Sequence, residues 1–154
     1  MDIGSGSSYP SCALSNFAPH PFIYDGVECA SMEGFLQSLK FSNPEMQAHV
    51  CTLVGRAAKF KGKKKKWFRD QTLWWKGVPM HRSSEAYQEL LTSAFDALGE
   101  NSGFKRALLA TKNSTLTHSM GKNKVNETIL TEREFVNQLY RLRDSVYGKG
   151  QKAK

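Results

Sequence analysis

The chain has 154 residues, 40% of them apolar, with nine Phe, five Tyr and three Trp, and carries 22 Lys and Arg against 14 Asp and Glu. That length suits one hydrophobic core and the aromatic content excludes a disordered or low-complexity chain. No apolar run approaches the roughly 18 residues that cross a bilayer, and MDIGSGSSYPS has neither the basic nor the apolar part of a secretory leader, so a cytoplasmic protein without a membrane partner is expected.

Residues 1–11 are rich in Gly and Ser and read as a flexible N-terminus, ahead of one domain over 12–147 and a basic tail over 148–154 that holds Lys149, Lys152 and Lys154. Pro19 and Pro21 forbid a helix, Pro21-Phe22-Ile23-Tyr24 favours a strand, and Asp25-Gly26 is a hairpin turn leading into Val27-Glu28-Cys29. The period then changes. Ser31 can cap a helix reaching about Phe41, with Phe35, Leu36 and Leu39 on its core side. Asn43-Pro44 ends that helix and starts another over about 44–52, and a third is predicted over about 53–61. Cys12, Cys29 and Cys51 form no C-x-x-C pair and have no histidines at zinc spacing; they read as core thiols, with no metal site.

The whole charge excess is then met in one stretch. Arg56, Lys59, Lys61, Lys63, Lys64, Lys65, Lys66 and Arg69 follow one another without an acid, while cations and acids balance in the rest of the chain. Burying an unpaired ammonium costs several kcal/mol of hydration, so this run faces water or an anion. It is a solvated loop or a contact to a phosphate backbone, with Phe60, Trp67 and Phe68 stacking on bases or fastening the loop to the core. Beyond it the pattern predicts a long helix from about Ser83 to Leu98, a short one around Phe104 to Ala110, and a short strand at Leu116-Thr117-His118. Thr131 opens the last helix, with Glu134 completing a capping box and Phe135, Leu139 and Leu142 forming its apolar stripe. The sum is a predominantly helical α+β domain with a small N-terminal β-hairpin.

Chemistry concentrates on the helix after Ser31. Glu33, Gln37 and Lys40, spaced four and three residues apart, form one polar stripe on a helix that is otherwise apolar. The stripe is either an exposed surface feature with a weak ion pair or the wall of a site. LSNFAPHPFIYDGVECASMEGFLQSLKF, residues 14–41, resembles the opening signature of the NADAR (YbiA-like) family: an SNF element, a P-F pair, D-G-V, then S-x-E-x-x-x-Q-x-x-K-F. Gly55-Arg56, Trp74-Trp75, ALLAT at 107–111 and the helix from Phe135 to Arg143 follow in the family's order, so the resemblance covers about residues 12–144. One region departs from it: where many relatives carry an acid and then D-x-x-W-G, this chain reads LTHSMGKNKVNETILTEREF, with His118 in place of the acid.

The resemblance implies a compact NADAR-like N-glycosidase without a cofactor, acting either on phosphorylated riboflavin-pathway intermediates or on ADP-ribose attached to guanine. It carries over Glu33 and Lys40 as the catalytic pair and Asn16, Phe17, Arg56 and Trp75 as substrate-binding residues, beside which Gln37 and His118 are further candidates. Breaking a ribosyl C–N bond builds an oxocarbenium-like charge that a carboxylate beneath the sugar stabilises, which suits Glu33; Asp25 is the available second carboxylate. Lys40 either pairs with Glu33 and a ligand oxygen or attacks the ring-opened anomeric carbon as an imine-forming nucleophile. The planar fork of Arg56 suits a diphosphate, and His118 can protonate a leaving nitrogen.

The basic run decides between substrates. Lys61, Lys63, Lys64, Lys65, Lys66 and Arg69 are superfluous for a small metabolite but suited to a polyanion, so the expected substrate is ADP-ribosylated DNA or RNA, with ADP-ribose as product. The expected protein is a monomeric DNA ADP-ribosyl glycohydrolase acting as an antitoxin or a phage countermeasure. A glycosidase on a riboflavin-pathway or other ribosylated metabolite and a non-catalytic module binding ADP-ribose or nucleic acid are the competing readings.

Overall fold

In a computed structural model of the chain, residues 1–152 are described, with side chains described through Val146. A four-residue turn of helix, α1 (Ser11–Leu14), precedes the hairpin of β1 (Phe22–Tyr24) and β2 (Val27–Cys29), which pair antiparallel with Ile23 opposite Glu28. Asp25 and Gly26 both take positive φ, 50° and 77°, the two-residue turn whose twist matches that of the strands.

Ser31 caps α2 (Met32–Ser38) as expected, its hydroxyl accepting from the Gly34 amide. The helix stops before Phe41 because its end tightens: Leu39, Lys40 and Phe41 each donate to the carbonyl three residues back. Asn43 caps α3 (Pro44–Cys51), and α4 (Gly55–Lys63) follows. Gly34 sets how close α2 lies to its neighbour, since a Cβ there would overlap the Leu53 carbonyl and sit 3.0 Å from that of Val50.

A 3-10 turn at Trp67–Arg69 leads into a second antiparallel hairpin, β3 (Thr72–Trp75) with β4 (Val78–His81), closed by Lys76 and Gly77 at φ 48° and 82°. Buried Gln47 fastens it beside α2, donating to the carbonyls of Trp74 and Ser38 and accepting from the Lys76 amide. The chain finishes with α5 (Glu85–Leu98), α6 (Ser102–Ala110) and α7 (Glu132–Lys152). Thr131 and Glu134 exchange the two hydrogen bonds of a capping box at the start of α7. The expected tail thus begins inside this helix; its side chains and residues 153–154 lie outside the described residues.

One core joins these elements, and its members include Phe35 and Leu36 of α2, Leu39 just after it, Leu91 and Phe95 of α5, and Phe135 and Leu139 of α7. Cys29 and Cys51 are buried free thiols and Cys12 is partly exposed. Two expectations are corrected. The N-terminus is not loose at its start: Ile3 is fully buried, the Met1 ammonium donates to the Thr115 carbonyl at 2.7 Å, and Asp2 bridges Thr117. That bridge is all that forms where a strand was predicted at 116–118, because Asp2 is its isolated partner. No helix among the described residues is long and apolar enough to cross a membrane.

Candidate functional site

The SNF element is fastened to the start of α2. The Glu33 amide, one of the helix's otherwise unpaired N–H groups, donates to the Asn16 carbonyl at 3.0 Å. Phe17, half-buried, lies against Gly55, where φ is +53° and a Cβ would come to 3.8 Å of the ring. These contacts bring residues 14–17, α2 and the first turns of α4 together.

Glu33 is only 9% exposed. Burial pushes its carboxyl above the ordinary range, against the hydrogen bond from Gln37 and the charges of Lys59, Lys40 and His118, which pull it back. Lys40 is displaced the other way: burial lowers its ammonium, opposed by the Glu33 charge and reinforced by that of Lys59. Its Nζ donates to the Gly62 carbonyl at 3.4 Å. An acid biased towards its protonated form and an amine biased towards its neutral form share one seam between α2 and α4, the pattern expected where proton transfer is the task.

Gln37 orients the acid. Its Nε2 donates to Glu33 Oε1 at 2.9 Å, while Oε1 is the buried side-chain atom left without a hydrogen-bond partner among the described residues. That oxygen rests against Gly62, where an added Cβ would overlap it and lie 2.8 Å from the Gln37 Cδ. Gly62→Ala is therefore expected to swing the amide off Glu33 at a cost of about 1–3 kcal/mol. Thermal melting of this variant checks the cost, and Gln37→Ser in the same chain, by restoring room, recovers part of the loss.

Lys59 was the missed member. It was legible only as one cation in a run, yet its Nζ lies 6.0 Å from the Phe17 ring centre and its charge acts on both Glu33 and Lys40. His118, 115 residues from its partner, donates from Nδ1 to the Ile3 carbonyl at 2.7 Å and stands edge-on to Phe135. Its Nε2 makes no hydrogen bond among the described residues, and the charge of His118 is among those that act on Glu33.

The other candidates divide. Arg56 is exposed in the first turn of α4, with no ion pair among the described residues. Trp75, a substrate-binding candidate from the resemblance, is buried in the core, 5.3 Å from the ring centres of both Phe35 and Tyr24. Its indole N–H donates to Asp25 at 2.9 Å, and Lys76 pairs with the same carboxylate, so Asp25 ties the two hairpins together. In the basic run, Trp67 is buried and fastens the segment, whereas Phe60 and Phe68 are 64% and 54% exposed beside exposed Lys63, Lys64, Lys65, Lys66 and Arg69 and half-buried Lys61. A roomier groove of about 750 Å³ lies elsewhere, between Phe22, Ile23, Cys29 and Ala97. Its charged lining residues are Glu28 and Glu100, which repel a phosphate.

The family described as bacteriophage protein GP30.3 matches residues 8–144. The chain is 45% identical over 149 residues to an "uncharacterized 17.1 kDa protein in Gp30-rIII intergenic region" of Enterobacteria phage T4, spanning 95% of this chain and 98% of that one. In three dimensions it is similar to the NMR structure of the E. coli protein YbiA, with a TM-score of 0.65 over 98% of this chain and 86% of that one at 16% identity. The NADAR-like fold implied by residues 14–41 is thus present.

Proposed function

The chain belongs to the family of bacteriophage protein GP30.3, and from that premise we propose that it is a glycohydrolase that cleaves the N-glycosidic bond between ADP-ribose and guanine in DNA. The observation that carries this reading is the buried Glu33 carboxyl, 9% exposed on α2, with Lys40, Lys59 and His118 acting on it.

As the anomeric C–N bond breaks, positive charge develops on the ribose, and a carboxylate below the ring stabilises it. Glu33 in its ionised form does this and takes the proton of the attacking water; the leaving guanine nitrogen receives a proton, for which His118 Nε2, on a ring whose charge acts on Glu33, is the candidate donor. Arg56 and Lys59 take the diphosphate. Lys40, its ammonium weakened by burial, holds a ribose oxygen or adds as a free amine to the ring-opened sugar. The basic run favours a polyanion over a metabolite. Release of intact guanine would undo a toxic or defensive ADP-ribosylation, the work of an antitoxin or a phage countermeasure.

Incubation with a guanine-ADP-ribosylated oligonucleotide tests the reading. Free ADP-ribose and an unmodified strand are expected, and an adduct that persists with folded protein rejects it. Borohydride reduction during turnover is expected to leave a covalent adduct on native protein and none on Lys40→Ala if the imine route operates; retention of most activity by Lys40→Ala excludes that route.

A further inference from the structure

We propose that the shallow basin between α4 and the end of α2 is a subsite for the nucleobase next to the modified one, with Phe60 as its stacking platform. This rests on the reading above that the substrate is a base within a DNA strand. The basin has a volume of about 220 Å³ and is lined by Phe41, Ala57, Phe60, Lys61, Lys64 and Lys65. Ala57, Phe60 and Lys61 stand at i, i+3 and i+4 on one face of α4, and Lys64, at i+7, is the residue that caps its end.

Its composition is that of a base site. Phe41 is 8% exposed and forms the floor, whereas Phe60 is 64% exposed and contributes little to the core. A large aromatic held in water is unfavourable unless something flat and apolar covers it. Around the two rings stand Lys61, Lys64 and Lys65, with no acid between Arg56 and Arg69 to neutralise them. The Lys64 ammonium sits 5.5 Å from the Phe60 ring centre and that of Lys65 5.2 Å from the Phe41 ring centre. Both can swing from a ring face to a phosphate oxygen, exchanging a weak cation–π contact for an ion pair as a base takes the ring face. An acidic peptide would satisfy the lysines but leave the ring uncovered.

Position favours the same occupant. Phe41 directly follows Lys40, and Lys61 directly precedes Gly62, whose carbonyl accepts from Lys40 Nζ. The basin therefore begins where the Glu33–Lys40 seam ends, a placement suited to a neighbouring nucleotide of the same strand. Phe68, exposed beyond the buried Trp67, is not among its lining residues and serves as the control.

An unmodified DNA trinucleotide carrying 2-aminopurine is the probe, and its fluorescence on titration is the readout. Native protein is expected to quench it, Phe60→Ala to bind about tenfold more weakly, the size of one lost base stack, and Phe60→Trp to bind as native. Phe68→Ala should leave affinity unchanged. Lys61→Gln, Lys64→Gln and Lys65→Gln combined should reduce the slope of log affinity against log salt by up to about 1.4, at roughly 0.7 for each of the trinucleotide's two phosphodiesters. Native-like binding by folded Phe60→Ala, or an equal loss in Phe68→Ala, overturns the subsite. Because this strand bears no ADP-ribose, that result leaves the glycohydrolase reading standing. Conversely, failure to hydrolyse an ADP-ribosylated guanosine mononucleotide counts against the glycohydrolase and not against the basin.

Discussion

Glu33→Gln is expected to lower kcat on an ADP-ribosylated oligonucleotide by about 10²–10⁴-fold, the range for loss of a positioned acid or base, and at the same time to raise the melting temperature at neutral pH. The two effects have one cause. Glu33 is 9% exposed on an otherwise apolar helix and loses hydration whenever its carboxyl ionises, and an amide of the same shape keeps the packing while removing that charge. Gln37 can still meet the new side chain, since an amide oxygen accepts as a carboxylate does.

The sign of the pH dependence follows from the raised carboxyl. The folded state takes up a proton at Glu33 more readily than the unfolded chain, whose carboxyl titrates near 4.5. Its contribution to stability is therefore complete below that value and is lost as pH rises through the higher folded value. Glu33→Gln lacks this loss, so the gap in melting temperature between variant and native protein should open as pH rises towards neutrality. Activity should rise along the same limb, because the ionised form does the chemistry. If Glu33→Gln instead melts below native protein at neutral pH, the attraction to Lys40 and Lys59 outweighs burial, and Glu33 is half of a structural ion pair.

Much of this site was legible because its signals are local. Ser31, three residues before Gly34, and the four-residue step from Glu33 to Gln37 are statements about one helical turn, and the turn forms as the spacing says. Asp25-Gly26 is equally local, as is the capping box of Thr131 and Glu134. What sequence missed comes from long-range packing. The run Thr72-Leu73-Trp74-Trp75 before Lys76-Gly77 carries a hairpin signal, but its partner strand begins Val78-Pro79, and proline in a strand argues against one. The structure resolves that conflict with a two-stranded sheet, where Pro79 interrupts no central ladder. Nothing in a Trp-Trp pair says which ring goes inward; alternation along β3 buries Trp75 and leaves Trp74 half-exposed. The fixed N-terminus was hidden for a different reason. Ile3 is one apolar residue in a Gly/Ser stretch, and its burial depends on Thr117 and His118, more than a hundred residues away.

Glu134→Ala is expected to destabilise the fold by about 3–5 kcal/mol, the cost of leaving a buried charge alone, which for a chain of this length lowers the melting temperature by roughly 6–20 °C. Arg82 is fully buried at the end of β4 and grips Glu134 with both arms of its guanidinium, at 3.1 and 2.6 Å. Its Nε donates to the Thr128 carbonyl, its plane lies 5.0 Å from the Tyr87 ring centre, and the Tyr87 hydroxyl donates to the Ile129 carbonyl. Burial pushes the Glu134 carboxyl up, but hydrogen bonds from Arg82, the Thr131 amide and Gln88 outweigh it and hold the group below its usual range. The stability it supplies is present above the unfolded carboxyl's range and is lost as pH falls through the depressed folded value. Melting of native protein in acid should therefore converge on that of Glu134→Ala.

The pair does more than hold α7. Arg82, Tyr87 and Glu134 bind the backbone of residues 128–131, the end of the region in which this chain departs from the NADAR signature it resembles, and the Glu132 carboxylate receives the His118 amide at 2.7 Å. His118 thus stands on a loop whose far end is tied down by Arg82, and its charge is among those that act on Glu33. Arg82→Met with Glu134→Leu removes both charges at similar volume and should regain much of the stability lost in Glu134→Ala. If His118 acts on the leaving nitrogen, the double variant should still turn over slowly, because an apolar contact restores packing without fixing the loop's carbonyls. Full recovery of kcat together with stability would place His118 outside the chemistry, leaving proton delivery to water or to Glu33 itself.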